Sequence, residues 1–353
     1  MSSRTNSDLV TVLMSVYNTD IKLLDRAVMS ILNQTYENIE FIIVDDGAGE
    51  DFRDYISKIE DPRIVVLRND SNMGLAASLN RGLKIARGKF IARMDADDYS
   101  CPDRISEQVR YMHEHESVDV LAGISLDIRD GRFTGGIGGA YYKFDSETFK
   151  IELSLGPKTF PHPTVMFRAD FLNKYDLRYD EEFKRSQDYD MWAKCSMYGK
   201  LDSLQKVVLY YNTDDKKSEG LSEGQVYYSN LTKTKCLHRL VENATEREEE
   251  LYIRLKDIKM TGSVRENVCL VRKLVNCNKT LRLYNPHKYK RVIYFWWGKK
   301  MLYRENREHL SGFLKYPLFV INVAASLAEG LPGYLRRGIY LKQMEGRIRG
   351  IDI

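Results

Sequence analysis

The sequence predicts an α/β protein: a mixed, mainly parallel sheet flanked by helices, followed by a mainly helical C-terminal region. Short apolar, β-branched runs recur through the first hundred residues, and stretches with apolar side chains at helical spacing separate them. From Gly220 onward the pattern is mainly helical. Strands separated by helices of this length imply βαβ units, whose right-handed crossovers bring the strand C-termini to one edge. Open α/β sheets bind their ligands along that edge.

The elements follow in order. Val10–Val16 (VTVLMSV) is an apolar run that stops at Tyr17-Asn18, and Ile21, Leu24, Val28, Ile31 and Leu32 then recur at helical spacing. Ile39–Val44 (IEFIIV) reads as a second buried strand closed by Asp45-Asp46-Gly47, and Arg63–Leu67 reads as a third. Leu75, Leu79, Leu83 and Ala86 mark a helix ending at Gly88, a suitable C-terminal cap. Phe90–Met94 is a fourth strand and runs into Asp95-Ala96-Asp97-Asp98. Pro102 and Asp103 start a helix reaching His115, and Val118–Ile128 is another strand. The glycines of Gly131–Ala140 (GRFTGGIGGA) do not form a dinucleotide fingerprint, because no strand-to-helix turn surrounds them. That stretch reads as a loop, either a mobile one at an active site or a plain surface one. Thr164–Phe167 is a short strand, Gln187–Tyr198 a helix and Leu201–Tyr211 a strand. The expected division is a catalytic domain over residues 1–215 and a helical, basic region over 216–353.

With 43% apolar and 29% charged residues in 353, the composition excludes wholesale disorder. Five cysteines, an odd number without a CxxC pair, argue for reduced thiols in a cytoplasmic setting rather than a disulfide framework or a zinc site. The N-terminus has no apolar core resembling a signal peptide. Charge is unevenly spread. Residues 281–353 hold fourteen Lys/Arg against five Asp/Glu, a balance of +9, so with a net charge of +4 residues 1–280 carry −5. A basic tail seeks an anionic partner.

Asp95 and Asp97 carry the chemistry. Paired carboxylates at a strand terminus are hard oxygen ligands suited to Mg²⁺ or Mn²⁺, and such an ion neutralises charge as a phosphate leaving group departs. Surface loops also contain DxD triplets, but here a strand precedes it and a second acidic pair ends on the same edge. At that second pair, a carboxylate of Asp45-Asp46-Gly47 either accepts hydrogen bonds from a nucleotide or caps the next helix.

Together, VTVLMSVYN, SILNQTYENIEFIIVDDGAGED, NMGLAASLNRGLKIARGKFIARMDADD and DYDMW resemble the family 2 inverting glycosyltransferases of GT-A (Rossmann-like) fold, over residues 8–212. The resemblance implies that Ser15, Tyr17 and Asp46 hold the nucleotide base of a sugar-nucleotide donor. It implies that Asp95 contacts ribose or metal and that Asp97 ligates the metal bridging the diphosphate. The family's Glu-Asp pair matches Gln187-Asp188, making Asp188 the base that deprotonates the acceptor hydroxyl, with Asp190 in reserve. Trp192, one turn later, either stacks on a sugar ring or packs in the core. Arg81 either faces the diphosphate or is a solvated helix residue. His162 in FPHPTVMFR matches a histidine common in the family, or is a turn residue between prolines. Many relatives have a metal-binding histidine after the last strand; Tyr210–Asp215 (YYNTDD) has none, which leaves Asp214 or Asp215 as replacements.

The implied donor is a UDP-sugar and the implied acceptor a glycan or lipid-linked glycan of surface polysaccharide biosynthesis. Two alternatives remain: a non-catalytic nucleotide-sugar-binding scaffold, and a nucleotidyltransferase of similar sheet topology. The latter would carry a Gly-rich, Arg-containing loop after the first strand, where this chain has Ser15-Val16-Tyr17-Asn18. In the tail, Phe313–Leu327 is apolar but shorter than the ~20 residues a spanning helix needs. Tyr294–Trp297 beside Lys299-Lys300, and Leu335–Ile348 with its arginines, mix apolar and basic residues as interfacial segments do. The expectation is peripheral attachment to an anionic membrane face through residues 290–350, or packing of a helical domain on itself or on a partner subunit. No nucleic-acid-binding motif is present.

Overall fold

The apolar runs fold as strands and the periodic stretches as helices. In chain order these are β1 (Val10–Val16), α1 (Ile21–Leu32), β2 (Ile39–Asp45), α2 (Glu50–Ser57), β3 (Ile64–Arg68), α3 (Leu75–Ile85) and β4 (Phe90–Met94). They continue as β5 (Tyr99–Ser100), α4 (Arg104–Glu114), β6 (Val120–Arg129), β7 (Arg132–Gly138), α5 (Ser146–Ser154), β8 (Met166–Arg168), α6 (Ala169–Lys174), α7 (Gln187–Tyr198) and β9 (Leu201–Asn212). Then follow α8 (Glu223–Leu240), α9 (Glu246–Ile253), α10 (Val264–Leu281), α11 (Pro286–Met301) and α12 (Leu310–Leu314). The structure, a computed structural model, describes residues 7–139, 145–157, 160–213 and 222–330. These form two compact units, one built from 7–139 with 160–213 and the other from 145–157 with 222–330.

In the first unit the strand order is β3-β2-β1-β4-β8-β6-β9-β5, with β7 added on β6. β1, β2, β3 and β4 are mutually parallel, while β8 runs antiparallel to both β4 and β6. Every residue of β2 and β4 is buried, which is why they read as mainly apolar runs, interrupted by Glu40 and Arg93, rather than as alternating ones. α1 is started by Asp20, whose carboxylate accepts the Lys22 and Leu23 N–H groups at 2.8 and 3.3 Å, and it buries Leu24, Ala27, Val28 and Ile31. α2 buries only Phe52 and Ile56, too few to leave a periodic signal.

Two glycine readings need correction. α3 ends at Ile85, with Ala86 extended, so Gly88 is not its cap. The Gly88 N–H instead donates to Thr11 Oγ1 at 2.9 Å, and a Cβ there would overlap the β1 backbone. The Gly131–Ala140 stretch is a strand rather than a loop. β7 pairs antiparallel with β6, and Cβ atoms at Gly136 and Gly138 would overlap Asp127 and Ser125. Its small residues serve strand packing; Ala140 itself lies outside the described residues.

The second unit is helical. Three helices begin with reciprocal capping boxes, Ser222 with Gln225, Thr245 with Glu248 and Ser263 with Glu266, each satisfying backbone donors that would otherwise lack partners. Its core includes Leu237, Tyr252, Leu274, Tyr289, Ile293 and Trp297. This corrects the interfacial reading of Tyr294–Trp297. Trp297 is completely buried, Tyr294 and Phe295 are buried, and the Trp296 Nε1–H donates to Glu152 at 2.8 Å. These aromatics hold the helices together instead of facing lipid. Beyond α12 the chain is helical from 317 to 330, and among the described residues no helix is long and apolar enough to cross a membrane. Leu335–Ile348 lies outside the described residues.

Candidate active site

β1, β2 and β4 end together. The register pairs Val16 with Asp45 and Met14 with Met94, so Asp46 and Asp95 leave neighbouring strands on either side of Ser15. Two strand spacings amount to roughly 10 Å. Half-buried Ser15 and exposed Tyr17 follow at the tip of β1.

Asp46 is buried, and its carboxylate already serves three donors. Oδ1 accepts Asn69 Nδ2 at 2.7 Å and the Met73 N–H at 2.8 Å, while Oδ2 accepts the Gly74 N–H at 3.0 Å. Gly74 is the N-cap residue of α3, so Asp46 fixes the loop that enters that helix. Arg81 belongs to the same network: its Nη1 donates to Asn69 Oδ1 and, at 3.1 Å, to the Arg68 carbonyl. It therefore braces Asn69, and through it Asp46, rather than standing as a solvated helix residue. Asp45 shapes the turn after β2 by accepting the Gly47 and Ala48 N–H groups at 3.1 and 2.8 Å.

After β4, one carboxylate oxygen from each of Asp95, Asp97 and Asp98 lies within 4.8 Å of the others. Three hard oxygen donors at this spacing fit a small divalent cation. Asp98 is the member that the DxD triplet does not reveal: it is buried, and its Oδ1 accepts the Asn212 N–H of β9 at 2.9 Å.

Arg93, two residues before Asp95 on β4, is the principal residue that motif reasoning misses. Its buried guanidinium forms an ion pair with Asp95 through Nη2, and its Nε and Nη1 find no hydrogen-bond acceptor among the described residues. Burial works against the charge, but the Asp95 carboxylate more than offsets it and holds the guanidinium above its usual range. Arg104 of α4 buttresses this strand by donating to the Arg93 carbonyl at 2.8 Å. The available signal was a single charged residue inside FIARM.

Asp188 sits in the first turn of α7, after Ser186 in the left-handed conformation. It is not the N-cap; its Oδ1 accepts the Tyr189 N–H at 2.8 Å. Burial pushes its carboxyl pKa up, the Tyr189 N–H and Arg93 oppose that shift, and the Asp95 charge adds to it. Asp188 therefore shares an electrostatic environment with the acidic cluster. Asp190 does not suit the reserve role: it is buried and paired with Lys194 at 2.6 Å.

Trp192 is completely buried, its ring centroid 5.7 Å from those of His162 and Phe167 and 6.3 Å from that of Phe160, so it packs in the core and does not stack on a sugar. His162 is buried too, with Nε2 2.7 Å from the Tyr179 hydroxyl. Burial and the nearby Arg93 charge hold its pKa well below the usual histidine range, which leaves a neutral ring beneath the site. The Tyr179 segment is tied to α3, where Asn80 accepts the Tyr179 N–H and donates to its carbonyl, both at 2.9 Å. Asp214 and Asp215 lie outside the described residues.

Comparison with known proteins places this geometry. The family described as Glycosyl transferase family 2 matches residues 11–175. An uncharacterized glycosyltransferase of Methanocaldococcus jannaschii is 34% identical over 226 residues, covering 61% of this chain and 74% of its own length. The Escherichia coli UDP-Glc:alpha-D-GlcNAc-diphosphoundecaprenol beta-1,3-glucosyltransferase WfaP is 42% identical over 105 residues, 30% of this chain and 41% of WfaP. Among solved structures, residues 1–349 of S. aureus TarS in complex with UDP-GlcNAc align with a TM-score of 0.56 at 18% identity, covering 87% of this chain and 92% of that one.

Proposed function

Because the chain belongs to glycosyltransferase family 2, we propose that it is an inverting, metal-assisted transferase. It moves a sugar from a UDP-sugar to a hydroxyl of a lipid-linked glycan in surface polysaccharide biosynthesis. The observation that carries this reading is the shared edge of β1, β2 and β4, from which Asp46 and the Asp95-Asp97-Asp98 cluster both leave, together with the coupling of Asp188 to Asp95 and Arg93. The lipid-linked acceptor and the UDP donor are supported by the kinship with WfaP, whose name carries both. Catalysis is assigned to the sheet unit within residues 1–215, and acceptor and membrane engagement to residues 216–353.

In this reading Ser15, Tyr17 and Asp46 line the nucleotide site, and Arg81 is a positioning residue that acts through Asn69. Asp95, Asp97 and Asp98 would hold Mn²⁺ or Mg²⁺, which when bound neutralises diphosphate charge. Arg93 keeps Asp95 aimed through their ion pair. Asp188 takes the proton from the acceptor hydroxyl while that oxygen forms its bond to C1 of the donor sugar. The bond from C1 to the diphosphate breaks on the opposite face, and UDP departs. A buried carboxylate with a raised pKa is a stronger base than an exposed one, which suits this step.

The test is release of UDP from a panel of UDP-sugars, with Mn²⁺ or with EDTA, by wild type and Asp97→Ala. Wild type turns over at least one donor in Mn²⁺, and the variant loses nearly all of that rate. No release from any donor in Mn²⁺ would instead favour the non-catalytic scaffold.

A further inference from the structure

The segment from Leu310 to Ala328 is apolar on two sides. Phe313, Phe319 and Val323 point into the helical core, as a packed helix requires. The opposite side is also apolar. Leu310, Leu314, Leu318 and Ile321 are 46, 61, 72 and 63% exposed, and Ala324, Ala325 and Ala328 continue the same face. Lys315 is the one charged residue between Leu310 and Ala328. These are two successive helices, α12 and residues 317–330, and each leaves leucine or isoleucine exposed on the side away from the core, which is at odds with water there.

The surroundings indicate what covers it. Arg304 and Arg307 precede the segment with Glu305 and Glu308 among them, and Glu329 closes it. In sequence, residues 331–353, which lie outside the described residues, carry Arg336, Arg337, Lys342, Arg347 and Arg349 against Glu345 and Asp352. A cavity of about 420 Å³ opens on the same segment, with Arg265, His309 and Lys315 in its wall opposite a single acid, Glu308. The four aliphatic side chains expose on the order of 400 Å², about half of the roughly 800 Å² that each partner buries in a stable dimer. Protruding leucines bordered by cations match the boundary of a bilayer carrying negative headgroups.

We propose that the helical unit docks on an anionic bilayer through the face formed by Leu310, Leu314, Leu318 and Ile321, with Lys315 and Arg265 at the headgroups. The proposal rests on the reading of a lipid-linked acceptor and names the surface by which the enzyme reaches it. That surface is separate from the buried tryptophan cluster.

The full chain is sedimented with phosphatidylcholine vesicles with and without phosphatidylglycerol. Wild type binds the phosphatidylglycerol vesicles, less well as salt rises, and binds pure phosphatidylcholine weakly. Leu314→Asp with Leu318→Asp weakens binding by about 100-fold, since each withdrawn leucine is worth roughly ten-fold or more. Lys315→Glu with Arg265→Glu removes the preference for phosphatidylglycerol. Both pairs are on the surface, and unchanged circular dichroism and unchanged lipid-free donor hydrolysis report intact folding. The proposal is overturned if wild type ignores phosphatidylglycerol vesicles or if the leucine variant binds as wild type does. It is equally overturned if light scattering finds a wild-type dimer that the leucine variant splits, since a second copy then covers the face. Vesicle binding without donor hydrolysis would count against the transferase reading and leave the docking face standing.

Discussion

Replacing Asp97 with asparagine probes the acidic cluster at one of its two half-buried members. One of its oxygens and one each from Asp95 and Asp98 lie within 4.8 Å of one another, and two unit charges at that distance repel by about 0.9 kcal/mol in water and about 3.5 kcal/mol at an effective dielectric of 20. Arg93 pairs with Asp95 and its charge also acts on Asp98, so it offsets part of the repulsion among the three carboxylates. Because Asp97 is half-buried, the lower part of that range applies, and asparagine should stabilise the metal-free protein by about 1–2 kcal/mol. For a unit of this size each kcal/mol raises Tm by about 2–4 °C. Scanning calorimetry in EDTA and in MnCl₂ measures both sides. The variant melts higher than wild type in EDTA, while wild type alone gains substantially from Mn²⁺ by mass action. A variant that melts lower in EDTA, or that gains as much from Mn²⁺ as wild type does, refutes the electrostatic account.

Two further outcomes follow from the same site. Asp46→Asn places an amide where Oδ2 now accepts the Gly74 N–H, so urea denaturation should reveal a loss of about 1–3 kcal/mol along with weakened UDP binding; unchanged stability would mean that the α3 entry loop does not depend on Asp46. For Asp188 the folded pKa is raised by burial, so its ionised form costs stability above that pKa, and the cost fades on acidification once folded and unfolded states are both protonated. Asp188→Asn should therefore melt above wild type at neutral pH, with a margin that shrinks toward acid, and should abolish transfer. The wild-type kcat/KM profile should lose activity on its acid side at a higher pH than an ordinary carboxylate would give. A margin that widens toward acid, or a variant that still transfers sugar, contradicts that assignment.

Much of the sheet was legible because β1, β2 and β4 are buried on both faces and leave mainly apolar, non-alternating runs. β7 was not, since its glycines look like a loop until the side chains of Asp127 and Ser125 occupy the space a Cβ would need. Asp46, Asp95 and Asp97 could be placed because strand ends are fixed by pattern and topology. Trp192 could not, because helical spacing names a stripe without saying which side of the helix meets the core. The contributions of Asn69, Asn80 and Tyr179 leave no local trace: Asn80 and Tyr179 lie 99 positions apart and meet only through folding. The aromatic run at Tyr294–Trp297 misleads for a related reason, as aromatic and basic residues together suit both a bilayer boundary and a helical core whose lysines lie over the rings, as Lys256 and Lys299 do over Trp296.

Consecutive residues of α3 reach in two directions. Arg81 steadies the asparagine beneath Asp46, and Asn80 grips the strap at Tyr179 that leads toward α7. A single helix thus anchors both the loop at Asp46 and the segment at Tyr179. If the proposed roles of Asp46 and Asp188 hold, slippage of that helix by one residue would disturb donor capture and proton removal together.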